Sequence, residues 1–229
     1  MNTTSRKLLV LGARIGKIIM PKEIVSDLIS ITDKSINSNE DFGYALAGQI
    51  KDEKVLTKKD LGPIWAWLEN EVNLYIKTIL KDIDINFNPR SASSENLEID
   101  ASIESMWTVS QVENEYNPVH YHGDVKSFED LSPNCQVSSV LYLKIPKRST
   151  RKLKNKKSNP DGFIEFISQG FGTSFQSLSS GSMRFKPIVG HLYIFPSWLP
   201  HTVYPFVGKG ERRSISFNSS YKVVKKSEG

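Results

Sequence analysis

The chain has 229 residues, of which 38% are hydrophobic, including 11 Phe, 8 Tyr and 4 Trp. That is enough to bury a sizeable core and too apolar for a disordered chain. No apolar run approaches the roughly 18 residues that a bilayer span needs, and a single cysteine, Cys135, excludes an internal disulfide and fits a reducing, cytoplasmic setting. The formal net charge of +5 is local: Lys147, Arg148, Arg151, Lys152, Lys154, Lys156 and Lys157 fall in one stretch, and Lys222, Lys225 and Lys226 add a basic tail.

The length fits one domain spanning 1–229, with a mostly helical part over 1–95 followed by a β-rich core over 96–221. Lys7 to Ile19 reads as extended and β-branched, broken by Gly12 and Gly16. Its apolar start is too short, and too soon interrupted by Arg14 and Lys17, for a secretion signal. Pro21 starts a helix with Ile24, Leu28 and Ile31 at helical spacing. Ser35 to Leu56 gives few signals. A second helix starts at Asp60, carries Leu61, Ile64, Trp65, Leu68, Val72, Ile76, Ile79 and Leu80 on one stripe, and ends before Asn86.

After Arg90 the period changes to two. Leu97 to Ile103 alternates, Met106 to Val109 reads as extended, and further short strands are expected at Val137 to Ile145, Phe163 to Ile167, Gly181 to Ile188, Leu192 to Phe195 and Ser214 to Phe217. Short strands with frequent turn signals mean a sandwich, jelly roll or barrel. The fold class expected is α+β, helices buttressing an all-β half. Between the strands, 147–161 reads as a basic loop ending in the turn Asn159-Pro160-Asp161-Gly162. It would suit an acidic partner such as nucleic acid or the ribosome, but no aromatic side chains interleave its charges as base stacking requires.

All four histidines, His120, His122, His191 and His201, lie in the β half. Side chains two apart on an extended segment share a face, so His122 and Asp124 can offer an imidazole and a carboxylate to one metal ion. His201, delivered by the Pro-bounded segment after Gly190, supplies a third ligand from a distant strand. His191, beside Gly190, is expected at the surface. Two histidines and one carboxylate on one face of a metal leave the opposite positions open, the arrangement of non-haem iron(II) oxygenases. The rival pair His120 and His122 is also available, which would leave Asp124 outside the ligand set. Further on, Arg212, Ser214, Ser216 and Asn218 share one strand face and Arg213, Ile215 and Phe217 the other. Arg212 with Ser214 would hold a carboxylate through parallel hydrogen bonds.

Each piece alone arises easily by chance; the ordered set does not. His-x-Asp, a long β-rich interval, a single His and then Arg-x-Ser resembles the double-stranded β-helix oxygenases that use iron(II) and 2-oxoglutarate. The similarity extends over Met106-Trp107, Asn117 to His122, Ser138 to Leu143, Gly162 to Phe166, Gly190 to Pro205 and Arg212 to Asn218, and is strongest to small phage-encoded members. The resemblance implies a jelly-roll (cupin-like) fold and iron held by His122, Asp124 and His201. It also implies 2-oxoglutarate on Arg212 and Ser214, dioxygen as co-reactant, and hydroxylation of a peptidyl or small-molecule C–H bond. Related halogenases lack the carboxylate ligand, so Asp124 argues for hydroxylation. Tyr142 either adds a hydroxyl to the cosubstrate site or is a core aromatic. The rival readings are a cupin-like enzyme with another metal, and a non-catalytic cupin-like binding protein that grips an acidic partner with its basic loop. The N-terminal part is expected to buttress the barrel and to serve either the substrate pocket or a homodimer contact.

Overall fold

The computed structural model describes residues 6–11, 13–87, 97–123, 135–146, 159–167 and 181–225. Two antiparallel sheets face each other. Strands β1 (Arg6–Leu11), β2 (Ala13–Ile19), β3 (Glu53–Val55), β4 (Leu97–Gln111), β6 (Val137–Lys144), β9 (His191–Pro196) and β11 (Arg212–Lys225) form the large sheet, in the order β1-β2-β9-β6-β11-β4-β3. The small sheet runs β5 (Asn117–His120), β10 (His201–Val203), β7 (Ile164–Ile167) and β8 (Ser182–Phe185), in the order β5-β10-β7-β8. Two antiparallel sheets with these crossovers make the expected jelly roll.

Alternation along the large sheet separates two cores. Leu192 and Ile194 of β9, Leu141 and Leu143 of β6, and Ile215 and Phe217 of β11 face the helices α1 (Lys22–Ser35) and α3 (Pro63–Phe87). Their neighbours Tyr193, Phe195, Val140 and Tyr142 face inward and pack with Ile164, Phe166 and Val203 of the small sheet. Each fully buried apolar side chain contributes about 1.5–3 kcal/mol, so both faces of the large sheet are held and its strands cannot slip in register.

The helices form largely where the sequence predicts, with different ends. Helix α1 buries Val25, Leu28, Thr32 and Ser35, a 3-4-3 spacing. The second helical segment opens earlier than Asp60. Thr57 is the N-cap of α2 (Lys58–Leu61), and Asp60 is its capping-box partner, each bonding the other's backbone N–H. Gly62, at φ +55°, then breaks the chain before Pro63 starts α3. Helix α3 runs on to Phe87, past the expected stop before Asn86.

The two extended runs predicted before and after Ser105 are one strand, β4, bulged at Glu104 where Ser105 pairs Asn218 and Ile103 pairs Ser219. The N-terminal part is less helical than expected: β1 and β2 form a hairpin that joins the edge of the large sheet through β2 and β9. His191 is a correction. Its pairing with Ile19 buries it to 8% exposure, where the sequence suggested a surface turn.

Gly16 does not interrupt β2 either; it admits a helix. A Cβ there would lie 2.8 Å from Cδ2 of Tyr75, whose hydroxyl is tied to the Arg14 carbonyl at 2.7 Å. Gly16→Ala is therefore expected to destabilise the fold by about 1–3 kcal/mol through overpacking, read as a lower midpoint in chemical denaturation. An unchanged midpoint would mean that α3 can shift away. No helix among the described residues is long and apolar enough to cross a membrane. The basic stretch from Lys147 to Lys157 lies outside the described residues. Lys222 and Lys225 of the supposed tail belong to β11.

Candidate metal centre and its pocket

The paired strands β5 and β10 place His120 directly opposite His201. His122 follows two residues after His120, and its backbone N–H is fixed by the Ser197 carbonyl at 2.8 Å. The three rings converge. Their centroids are 4.3 Å (His120–His201), 5.3 Å (His120–His122) and 5.3 Å (His122–His201) apart, and one ligand nitrogen from each lies within 4.8 Å of the others. Phe195 and Phe166 wall in His201, and Trp107 lies beside His122.

The hydrogen bonds set the tautomers. Nδ1 of His120 donates to the Pro118 carbonyl at 2.8 Å, and Nδ1 of His201 donates to the Leu199 carbonyl at 2.9 Å. A carbonyl only accepts, so the proton sits on Nδ1 and the Nε2 lone pair is left free, as a metal-binding histidine requires. At His122 the partner is the Asn218 amide, 3.5 Å from Nδ1, and the Oδ1 of Asn218 is buried without a partner. An amide can face its neighbour either way round. With its oxygen toward the ring, Asn218 accepts from Nδ1–H and frees Nε2 of His122 as well. Burial holds all three imidazoles neutral. It lowers His122 to about 4 with help from His120, lowers His120 against the pull of the Pro118 carbonyl, and lowers His201 well below its ordinary value. Neutral rings are the form that binds metal.

These histidines line a cavity of about 310 Å³. The strand face expected from the sequence lines it too: Arg212, Ser214, Ser216 and Asn218 all border it. Arg213 points the other way, to Glu211, Asp33 and Thr32, while Ile215 and Phe217 enter the helix-side core.

Arg212 is 1% exposed, yet only one of its guanidinium nitrogens is engaged by a side chain. Nη1 donates to Oε1 of Gln111 at 2.9 Å, while Nε and Nη2 are buried with no hydrogen-bond partner among the described residues. Gln111, directly opposite on β4, donates its own amide to the carbonyls of Glu115 and Tyr204, which fixes its oxygen toward Arg212. Tyr142 lies against the same cation, its ring centroid 4.8 Å from the guanidinium carbon and its hydroxyl buried without a hydrogen-bond partner among the described residues. Burial pushes that phenol up, so it stays a donor. Two free guanidinium edges and a free hydroxyl in one buried place are costly unless an anion completes them. A carboxylate ligand fits that set, and three neutral imidazoles fit a divalent ion.

The structure thus brings His122 and His201 together as the sequence predicts, and groups Arg212, Ser214 and Tyr142. Asp124 lies outside the described residues. His120 is more central than the sequence suggested. Gly123, at φ +114°, interrupts the extended alternation on which the pairing of His122 with Asp124 was argued. Gln111 carries no local signal in the sequence, since cross-strand partners are visible only once the register is known.

Residues 105–218 match the family described as "Putative 2OG-Fe(II) oxygenase". No curated protein matches the chain in sequence. Among solved structures, it is similar to the viral collagen prolyl hydroxylase vCPH of Paramecium Bursaria Chlorella virus-1, solved as a 2OG complex. The TM-score is 0.51 and identity 13%, over 90% of this chain and 94% of that one. It is also similar to a Pseudomonas putida prolyl-4-hydroxylase (TM-score 0.49, 16% identity, 94% and 93% covered). A third is HygX of Streptomyces hygroscopicus with nickel, 2-oxoglutarate and hygromycin B bound (TM-score 0.49, 12% identity, 99% and 85% covered). The viral hydroxylase supports the double-stranded β-helix fold and nothing finer. Through residues 105–218, the chain belongs to the 2OG-Fe(II) oxygenase family.

Proposed function

We propose that this protein is an iron(II)- and 2-oxoglutarate-dependent dioxygenase that hydroxylates a C–H bond of a peptidyl or small-molecule substrate. The observation that carries this reading is the sharing of one cavity by three convergent neutral histidines and an under-bonded arginine. His122 and His201 hold the metal. For the third ligand the described geometry supports His120, which stands opposite His201 and presents a free Nε2. Asp124 is the rival, favoured by the two-histidine-one-carboxylate pattern common in such oxygenases. Either set leaves metal positions for cosubstrate and dioxygen.

Iron, dioxygen and 2-oxoglutarate supply the oxidising chemistry, in which 2-oxoglutarate is converted to succinate and carbon dioxide while the substrate gains a hydroxyl. The chain's own residues bind and orient. Nε and Nη2 of Arg212 receive the distal carboxylate of 2-oxoglutarate in a two-pronged contact, and Tyr142 and Ser214 donate hydroxyls beside it. Gln111 keeps the guanidinium from turning, and the Pro118 and Leu199 carbonyls keep two imidazole lone pairs aimed inward. Phe166, Phe195 and Trp107 exclude water from the rings, which strengthens each polar contact inside.

Succinate and carbon dioxide formation that requires both iron(II) and 2-oxoglutarate tests the activity; no product with both present, or a yield unchanged when iron(II) is withheld, would end the reading. The third ligand is decided separately, by pulsed EPR of the Cu(II)-loaded protein, which counts coordinated imidazoles. His120→Ala should remove one imidazole and weaken metal binding beyond the roughly 10- to 100-fold cost of losing an outer partner. Asp124→Ala should leave the imidazole count and the affinity near wild type. The reverse pattern would assign the position to Asp124.

A further inference from the structure

Away from the histidines and from Arg212, the same cavity holds a second group of unsatisfied polar atoms, of opposite character. Glu53 on the edge strand β3 is 1% exposed, lines the cavity, and has an Oε2 with no hydrogen-bond partner among the described residues. Asn117 on β5 also lines it, and its Oδ1 is likewise buried and unpartnered. Both side chains reach Gly48: a Cβ there would lie 2.2 Å from Oδ1 of Asn117 and 3.6 Å from Oε1 of Glu53, the other oxygen of the same carboxylate. Glycine at 48 leaves room for Oδ1 of Asn117, which a Cβ would displace.

The surroundings add negative charge. Burial, with Asp41 and Glu115 nearby, pushes the Glu53 carboxyl up to about 7. The nearest lysine on the strand, Lys54, is directed to Asp41 and Asp52 at 3.6 and 3.8 Å. Nothing among the described residues therefore meets Oε2 of Glu53, although a buried carboxylate is among the most expensive groups to leave unpaired. Its charge cannot recruit the cosubstrate, an anion that Arg212 already suits. The remaining occupant of the cavity is the substrate.

We infer that Glu53 and Asn117 form a recognition subsite for a cationic nitrogen of the substrate, a protonated amine or a guanidinium. The inference rests on the oxygenase reading and narrows its substrate class. An ammonium or guanidinium N–H donates to Oε2 of Glu53 and to Oδ1 of Asn117, completing both acceptors, while the carbon chain behind it extends toward the histidines. The arrangement also rejects carboxylate-bearing competitors at this end of the cavity, because a second anion would face Glu53 across the space above Gly48.

The test uses the full chain loaded with Mn(II) and 2-oxoglutarate and titrated calorimetrically. The cationic probes are N-acetyl-L-lysine amide and N-acetyl-L-arginine amide, set against their neutral counterparts N-acetyl-L-norleucine amide and N-acetyl-L-citrulline amide. Wild type should favour at least one cationic probe over its counterpart by roughly 10- to 100-fold in Kd, the worth of a buried hydrogen bond to a charged group. Glu53→Gln, nearly isosteric, should erase that preference. Equal binding of charged and neutral probes by wild type, no binding of either cationic probe, or a preference that survives in Glu53→Gln would each overturn the inference. Uptake of Mn(II) and 2-oxoglutarate by wild type is read in the same titrations. Its failure would sink the oxygenase reading, whereas normal uptake without an amine preference would sink only this subsite.

Discussion

Replacing His201 with alanine should abolish both metal retention and turnover. Every candidate ligand set includes this residue, and its environment leaves it no other evident purpose. It is 5% exposed, enclosed by Phe166 and Phe195, and locked by the Leu199 carbonyl into the tautomer with a free Nε2. A histidine kept only for packing would not need to meet two further imidazoles within ligand distance. Alanine also opens a void beside two phenylalanines, at a cost of a few kcal/mol, so loss of activity alone would be ambiguous. His201→Gln fills most of that space and should lose metal equally. The measurement is the stabilisation that added Mn(II) or Ni(II) gives in thermal unfolding, since a ligand that binds only the folded state raises the melting temperature. Wild type should gain stability and both variants should not. A glutamine variant that still gains the wild-type increment would remove His201 from the metal centre.

The second large effect belongs to Arg212. Arg212→Ala should raise the 2-oxoglutarate concentration needed for half-maximal turnover by about 100-fold or more, because two charge-assisted hydrogen bonds in a buried site are lost together. Arg212→Lys should recover little, since an ammonium cannot reproduce the planar fork that leaves Nε and Nη2 free while Nη1 is held by Gln111. The control is the adjacent residue. Arg213 is also buried and cationic, but its partners are Glu211 and Asp33 on the helix side. Arg213→Ala should therefore lower the melting temperature and leave the requirement for 2-oxoglutarate near wild type. Similar shifts in the cosubstrate requirement for both variants would show that the two faces of β11 are not functionally distinct.

The contrast between these two arginines was legible before any coordinates, because the period of a strand is fixed and one end of the pattern, Ile215 and Phe217, had to face a core. The same reasoning located β6, β7, β8 and β9. It failed where the few residues of a short strand do not alternate apolar and polar. Strands β3, β5 and β10 span three or four residues each, yet they carry Glu53, Asn117, His120 and His201. It also failed where a long-range partner decides burial: His191 looked like a turn residue until the N-terminal hairpin paired with β9. The metal ligands show a third limit. The alternation that joined His122 to Asp124 assumed an extended Gly123, and glycine is the residue that freely adopts the positive φ found there. Gln111 was illegible for another reason, since nothing local links it to an arginine about a hundred residues later.

The neutrality of the three imidazoles has a further consequence for how the cavity fills. Uncharged rings would cancel none of the two positive charges of a divalent ion, whereas a dicarboxylate on Arg212, with one charge met by the guanidinium, would offset one of them. Occupancy of either position then favours occupancy of the other, and by thermodynamic reciprocity the assistance is equal in both directions. A centre built this way would hold its ion loosely when the organic acid is scarce and firmly when it is plentiful, tying readiness for reaction to the supply of the acid.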